Sequence, residues 1–297
     1  MTGCTIPIIE DVDLGEYTQA AAVPTMSSAF EHPDEKEATT EEITAPSEPQ
    51  EEIPKLSDDE INSIDNKMHP YGQGLQVDDR NIPLGAIEFN EKYEKFGGYA
   101  YIPEKVNNKE IYLTFDQGYE NGYTAKILDI LKEKNAKATF FLTGHYIESE
   151  PELIQRMIDE GHTLGNHGDK HKSLPEELLP ISIESAEQEL MTVHNAIKDK
   201  YGYEMKYSRP PKGEFSERSL ALTQRLGYKS FLWSFAYADW DVNKQPNPEE
   251  AYQKIIKYAH GGEVMLLHSV SETNAEILGR VIDELQSQGY VFTTPDI

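Results

Sequence analysis

Cysteine is almost missing from this chain: one residue, Cys4, among 297. No internal disulfide can form. There is no uninterrupted apolar run of about 18 residues, so no segment reads as a transmembrane helix. No signal peptide is visible either. Basic residues are scarce: Lys and Arg number 27 against 53 Asp and Glu, a formal charge of -26. A chain this acidic gains nothing from counterion release on nucleic acid, which excludes that partner. Anionic membrane surfaces are disfavoured for the same reason. Internal repeats are absent.

The acidity is uneven. Residues 1–60 hold sixteen acidic side chains and two lysines, and include low-complexity stretches such as Thr39-Thr40-Glu41-Glu42 and Ser47-Glu48-Pro49-Gln50-Glu51-Glu52. Such a segment cannot bury enough apolar surface to offset its chain entropy. It is expected to be a disordered acidic linker. At its start, Thr2-Gly3-Cys4 resembles the end of a bacterial lipoprotein signal. On that reading Cys4 is a lipid anchor and the linker a tether; the alternative is a stray exposed thiol.

Residues 61–107 form an intermediate segment expected to pack on a larger body. His69-Pro70-Tyr71-Gly72-Gln73-Gly74 is turn-rich, and Phe89, Tyr93 and Phe96 are spaced for one helix face. From residue 108 strand and helix alternate. Runs at 111–115, 138–142, 162–166, 207–209, 229–234, 263–267 and 290–293 read as strands. Between them, 123–134, 151–160, 182–201, 217–226, 248–260 and 274–288 read as helices. This rhythm predicts an α/β fold with a parallel sheet wrapped by helices. Seven such units suit a distorted, incomplete (β/α) barrel, whose chemistry belongs at the C-terminal ends of the strands.

Polar residues gather at those ends: Asp116-Gln117-Gly118, then His167 and His171, Arg209-Pro210-Pro211-Lys212-Gly213, Asp239-Trp240, and His268. Singly, each has a plain structural reading. Asp116 suits a turn or helix cap, His167 and His171 a surface loop, Arg209 a surface cation, His268 a hydrogen-bonded core histidine. Two histidines four apart on one face also suit Zn²⁺. Their order after successive strands is what argues for a shared site.

Together these residues resemble the polysaccharide deacetylase (NodB-homology) family of carbohydrate esterases, over about residues 108–297. The motifs are Thr114-Phe115-Asp116-Gln117-Gly118, Gly165-Asn166-His167-Gly168-Asp169-Lys170-His171, Arg209-Pro210-Pro211-Lys212-Gly213, Asp239-Trp240 and Leu266-Leu267-His268. The stretches 118–124 and 268–276 look like the subgroup that de-N-acetylates muramic acid, including enzymes that form muramic δ-lactam in spore cortex. One position departs from the family: Gln117 stands where most members carry a second Asp, a metal ligand. The muramic-acid subgroup also tends to lack that Asp.

The resemblance implies a metal-assisted amide hydrolase acting on peptidoglycan glycan strands at the cell-wall face. His167 and His171 hold a divalent ion, expected to be zinc. Asp116 is the general base and Arg209 its ion-pair partner. His268 is the general acid, oriented by Asp239. The backbone N–H of Lys212, beside Pro211, faces the oxyanion, and Trp240 and Leu266 wall an acetyl pocket. Three roles stay open for Gln117: metal ligand, partner of a metal-bound water, or sugar contact. Tyr112, Phe115 and Phe231 are expected in the core, while other aromatics, Tyr119 among them, suit a glycan groove. Two further readings stand beside this one: a glycan-binding protein without turnover, and a deacetylase for chitin or an exopolysaccharide.

Overall fold

The computed structural model describes residues 56–297. Cys4 and nearly all of the expected linker lie outside the described residues. The first element, α1 (Asp58–Ser63), starts inside the span expected as linker. Its capping box is complete: Ser57 Oγ accepts from the Glu60 N–H, and Glu60 accepts from the Ser57 N–H at 2.7 Å. Ile61 is fully buried with Leu174, Leu178 and Leu190. Packing of Leu56 and Ile61 on that cluster, the cap, and an Arg225–Asp58 ion pair at 2.7 Å thus order residues that composition alone assigns to solvent.

Next come β1 (His69–Pro70), α2 (Leu84–Tyr93) and β2 (Gly98–Tyr99). Phe89, Tyr93 and Phe96 do share one cluster. The helix stops at Tyr93, however, and Phe96 rides on a 3-10 turn closed by Gly97 at φ 69°.

The remaining elements follow in alternation. They are β3 (Glu110–Gln117), α3 (Thr124–Glu133), β4 (Ala138–Leu142), α4 (Gly144–Ser149), α5 (Pro151–Asp159) and β5 (Thr163–Asn166). After them come α6 (Ile183–Tyr201), β6 (Tyr207–Ser208), β7 (Glu214–Phe215), α7 (Glu217–Arg225) and β8 (Lys229–Phe231). The chain ends with α8 (Pro248–Tyr258), β9 (Glu263–His268), α9 (Glu272–Ser287) and β10 (Val291–Phe292). The expected strands and helices all form, with ends shifted by a few residues. The short α4 and the pairs β1, β2 and β7 carry too weak a periodicity to be read from sequence.

Eight strands make one parallel sheet, ordered β10-β3-β4-β5-β6-β8-β2, with β9 also on β3. The sheet curls. Beyond β8 the chain changes partner: Leu232 N–H still donates to Tyr99, but Ser234 N–H donates to Val264 of β9. A parallel bridge between Phe235 and Met265 then joins the two margins. This handover shortens β8 relative to the run 229–234 and yields the distorted (β/α) barrel. Side chains alternate across the strands. Tyr112, Phe141, Tyr207, Phe231 and Val264 fill the inside, whereas Leu113, Phe115, Phe140, Leu142 and Leu267 meet the helices. All five residues of β4 are buried, as a strand covered on both faces requires. Among the described residues no helix is long and apolar enough to cross a membrane.

Candidate active site

Strand ends deliver the polar residues to one cavity of about 810 Å³. Asp116 on β3 lies in register with His268 on β9. His167 directly follows β5 and Arg209 directly follows β6. Asp116, His167, His171, Lys212, Trp240, Leu266 and His268 all line the cavity, together with Tyr119, His145, Lys170 and Trp233.

Arg209 is the buried keystone, 1% exposed. Its guanidinium donates to Asp116 Oδ1 at 2.7 Å, Thr114 Oγ1 at 2.8 Å, and the carbonyls of Phe231 at 3.0 Å and Leu232 at 3.1 Å. The Phe141 ring lies beneath it, 4.2 Å from the guanidinium carbon. A buried cation is tolerated only when its donors are matched in this way. Burial alone would raise the carboxyl of Asp116. The charge and hydrogen bond of Arg209, with the charge of His268, outweigh that and hold it below the usual carboxylate range. Asp116 is therefore an ionised acceptor facing the cavity.

His167 donates Nδ1–H to the Arg209 carbonyl at 2.9 Å, which leaves Nε2 with its lone pair. That nitrogen lies 3.4 Å from Asp116 Oδ2 and 3.1 Å from His171 Nε2. Burial lowers His167 to about 4 and also lowers His171, so both rings are neutral, the ligating form. Two nitrogens bound tetrahedrally to zinc sit about 3.4 Å apart, by bond length and angle. The pair fits a divalent ion. His171 sits at φ 55°, a left-handed conformation that a non-glycine residue keeps only under constraint.

Gln117 does not join them. Strand alternation turns it to the helix side, fully buried and absent from the cavity wall. Its Oε1 accepts from Ser269 Oγ at 2.6 Å, and Ser269 accepts in turn from Thr124. Its Nε2, a donor, is the end without a partner. The carbonyl suited to a cation is thus already engaged, and Gln117 leaves the candidate ligand set. Among the described residues no group of three His, Cys, Asp or Glu is assembled for a metal.

Behind the His268 ring and off the cavity wall, Asp239 is fully buried and accepts from the His268 ring Nδ1 at 2.7 Å and from the His268 backbone N–H at 2.8 Å. Burial pulls the imidazole pKa down, but the hydrogen bond and charge of Asp239 prevail and raise it. Asn274 completes this arrangement, donating to Asp239 Oδ2 at 2.6 Å and to the His268 carbonyl at 3.0 Å. Tyr237 in turn donates to Asn274. The sequence offers no role for Asn274 beyond a helix start. A polar residue six positions after His268, at the head of α9, is the signal that could have found it.

Lys212 and Gly213 occupy a 3-10 turn at φ 61° and 68° and line the cavity. Pro211 starts that turn but is buried behind it and does not reach the cavity. Trp240 stands at the rim, 58% exposed, its ring 6.2 Å from that of His268. Leu266 lies deep, and Tyr119 is an exposed rim aromatic. Tyr112, Phe115 and Phe231 are core residues, as expected.

Comparison with known proteins gives a consistent result. The profile of the polysaccharide deacetylase family matches residues 104–231. The chain is 45% identical over 230 residues to a 30.6 kDa protein of Geobacillus stearothermophilus, covering 77% of this chain and 84% of that one. It is 43% identical over 215 residues to the peptidoglycan-N-acetylmuramic acid deacetylase PdaA of Bacillus subtilis, covering 72% and 80%. The solved structure of that PdaA, a family 4 carbohydrate esterase, superimposes with a TM-score of 0.72 at 40% identity, covering 78% of this chain and 96% of that one. Sequence identity across most of both chains and a shared curled barrel lead to one assignment: the chain belongs to the polysaccharide deacetylase family of carbohydrate esterases.

Proposed function

We propose that this chain removes the N-acetyl group from amino sugars of peptidoglycan, with N-acetylmuramic acid preferred, releasing acetate towards muramic δ-lactam at the cell-wall face. The observation that carries the reading is an ionised Asp116 and an Asp239-bound His268 side by side at the tips of two paired strands, both facing one cavity. Identity to a muramic-acid deacetylase supports the choice of sugar.

His167 and His171 would hold a divalent ion, zinc in this reading, which would supply Lewis-acid polarisation of the acetamide and a more acidic water. Asp116 takes the proton from the attacking water, and Arg209 keeps it ionised and aimed. The Lys212 N–H donates to the oxyanion; one such donor is worth about 3 kcal/mol of barrier. His268, whose hold on its proton Asp239 strengthens, gives that proton to the departing amine. Leu266 and Trp240 wall the acetyl group, and exposed Tyr119 offers a face to a neighbouring sugar. Cys4 remains a proposed lipid anchor.

Acetate release from glycan strands, with and without stem peptides and with and without added Zn²⁺, tests the reading. Metal-dependent release confined to peptide-free strands is the expected outcome. Release equal from intact peptidoglycan would remove the muramic-acid preference. Strands bound without any acetate release would favour the binding-protein reading. Asp116→Asn should abolish release while still binding Zn²⁺; near-normal turnover would refute the base assignment.

A further inference from the structure

The segment upstream of the catalytic domain touches the cavity mouth at one place. β1 pairs antiparallel with β7, His69 opposite Phe215 and Pro70 opposite Glu214. One residue later the Tyr71 N–H donates to the Gly213 carbonyl at 2.9 Å. The Tyr71 hydroxyl donates to the Trp233 carbonyl at 2.7 Å, and its ring meets the indole edge-on at 5.2 Å. Gln73 accepts from Trp233 Nε1 at 2.9 Å and donates to the Ala236 carbonyl at 3.2 Å. The indole so fixed leaves no room at Gly213, where a Cβ would stand 2.8 Å from Trp233 Cη2.

Both contacts fall on Gly213, left-handed at φ 68°, and the residue just before it is Lys212, left-handed at φ 61°. For a residue with a Cβ that conformation costs roughly 1–2 kcal/mol, and it persists where the surroundings impose it. Here the constraint comes through the next residue, whose carbonyl takes the Tyr71 N–H and whose Cα lies against the Trp233 ring.

We infer that Tyr71 and Gln73 are positioning residues for the active site: they clamp the Pro211–Gly213 turn that carries the Lys212 N–H. This rests on the deacetylase reading, in which that N–H meets the developing oxyanion. Such a donor is useful only if it is aimed before the charge appears. The upstream segment is then part of the catalytic apparatus, not a cover on its outside. It acts through Gly213 and Trp233 and touches no substrate.

The test uses the full chain loaded with Zn²⁺. Gln73→Met keeps the side-chain length and removes both hydrogen bonds; Gln73→Glu keeps the acceptor for the indole. With peptide-free strands, Gln73→Met should lower kcat about tenfold with KM within about twofold, as misplacement of a catalytic donor does. Amide exchange across residues 210–214 should quicken while Tm barely moves. Gln73→Glu should restore most of kcat. In a Trp233→Phe background, which already lacks the indole donor, Gln73→Met should add little. An unchanged kcat in Gln73→Met overturns the inference, whether or not exchange quickens, and so does a kcat loss matched by lost folded protein. Absence of acetate release from the wild type would sink the deacetylase reading instead. Exchange at 210–214 would still decide the clamp, and an unchanged rate would overturn it.

Discussion

At the scale of single residues, charge placement sets protonation. His268 depends on Asp239 for its raised pKa, because burial acts in the opposite direction. In the proposed mechanism His268 acts in its acid form, so activity should fall on the alkaline side as this proton is lost. In Asp239→Asn the imidazole pKa drops, and the alkaline limb of the kcat profile should move to lower pH; a limb that stays in place would separate it from His268. Metal binding offers a second residue-scale expectation. His167→Ala should weaken Zn²⁺ by roughly a hundredfold in chelator competition, since half of a two-nitrogen site is gone. Gln117→Ala should change affinity by less than about threefold, because its carbonyl already serves Ser269. A large loss there would place Gln117 on the metal after all.

At the scale of elements, the foot of β9 carries a cost that its catalytic tip does not. Glu263 is fully buried, and burial lifts its pKa to about 8, only partly opposed by the His260 N–H. Its Oε1 has no partner, and nearby His260 is kept neutral, near 4, chiefly by its own burial. Between the ordinary value of 4.5 and about 8 the folded chain keeps a proton that the unfolded chain has lost. Stability from this group is therefore present at low pH and lost as pH rises through that window. Glu263→Gln should raise Tm relative to wild type at pH 8 and much less at pH 5, a gap on the order of a few kcal/mol. An equal gap at both values would show that the carboxyl is not titrating there. For α1, Ile61→Ala should cost about 2–4 kcal/mol in denaturant unfolding by opening its buried contact. It should leave kcat alone, because no cavity residue belongs to that cluster.

For the whole molecule, net charge opposes its proposed substrate. The chain carries -26, and strands stripped of stem peptides expose lactyl carboxylates. Added salt screens this long-range repulsion, so KM should fall severalfold between about 10 mM and 150 mM ionic strength, where the Debye length shortens from roughly 30 to 8 Å. A rising KM would point to local attraction by cavity cations such as Lys170 as the dominant field.

The amino-acid sequence by itself determined the alternation of strand and helix, the family, and the order in which Asp116, His167, His171, Arg209, Asp239 and His268 meet the strand ends. Those are properties of local periodicity and of motif spacing, which survive without knowledge of neighbours. The tertiary structure alone decided the rest. Strand alternation already turns Gln117 away from Asp116, but that Ser269, 152 residues on, meets it there is a tertiary result. Asn274 acquires its role because α9 begins under the His268 carbonyl. Gln73 and Trp233 are 160 residues apart, and no local pattern predicts that they meet. Pairings across such separations follow from how the sheet closes, with Ser234 and Phe235 leaving β8 for β9. That closure balances many weak contacts summed over the fold, and no single stretch of sequence records it.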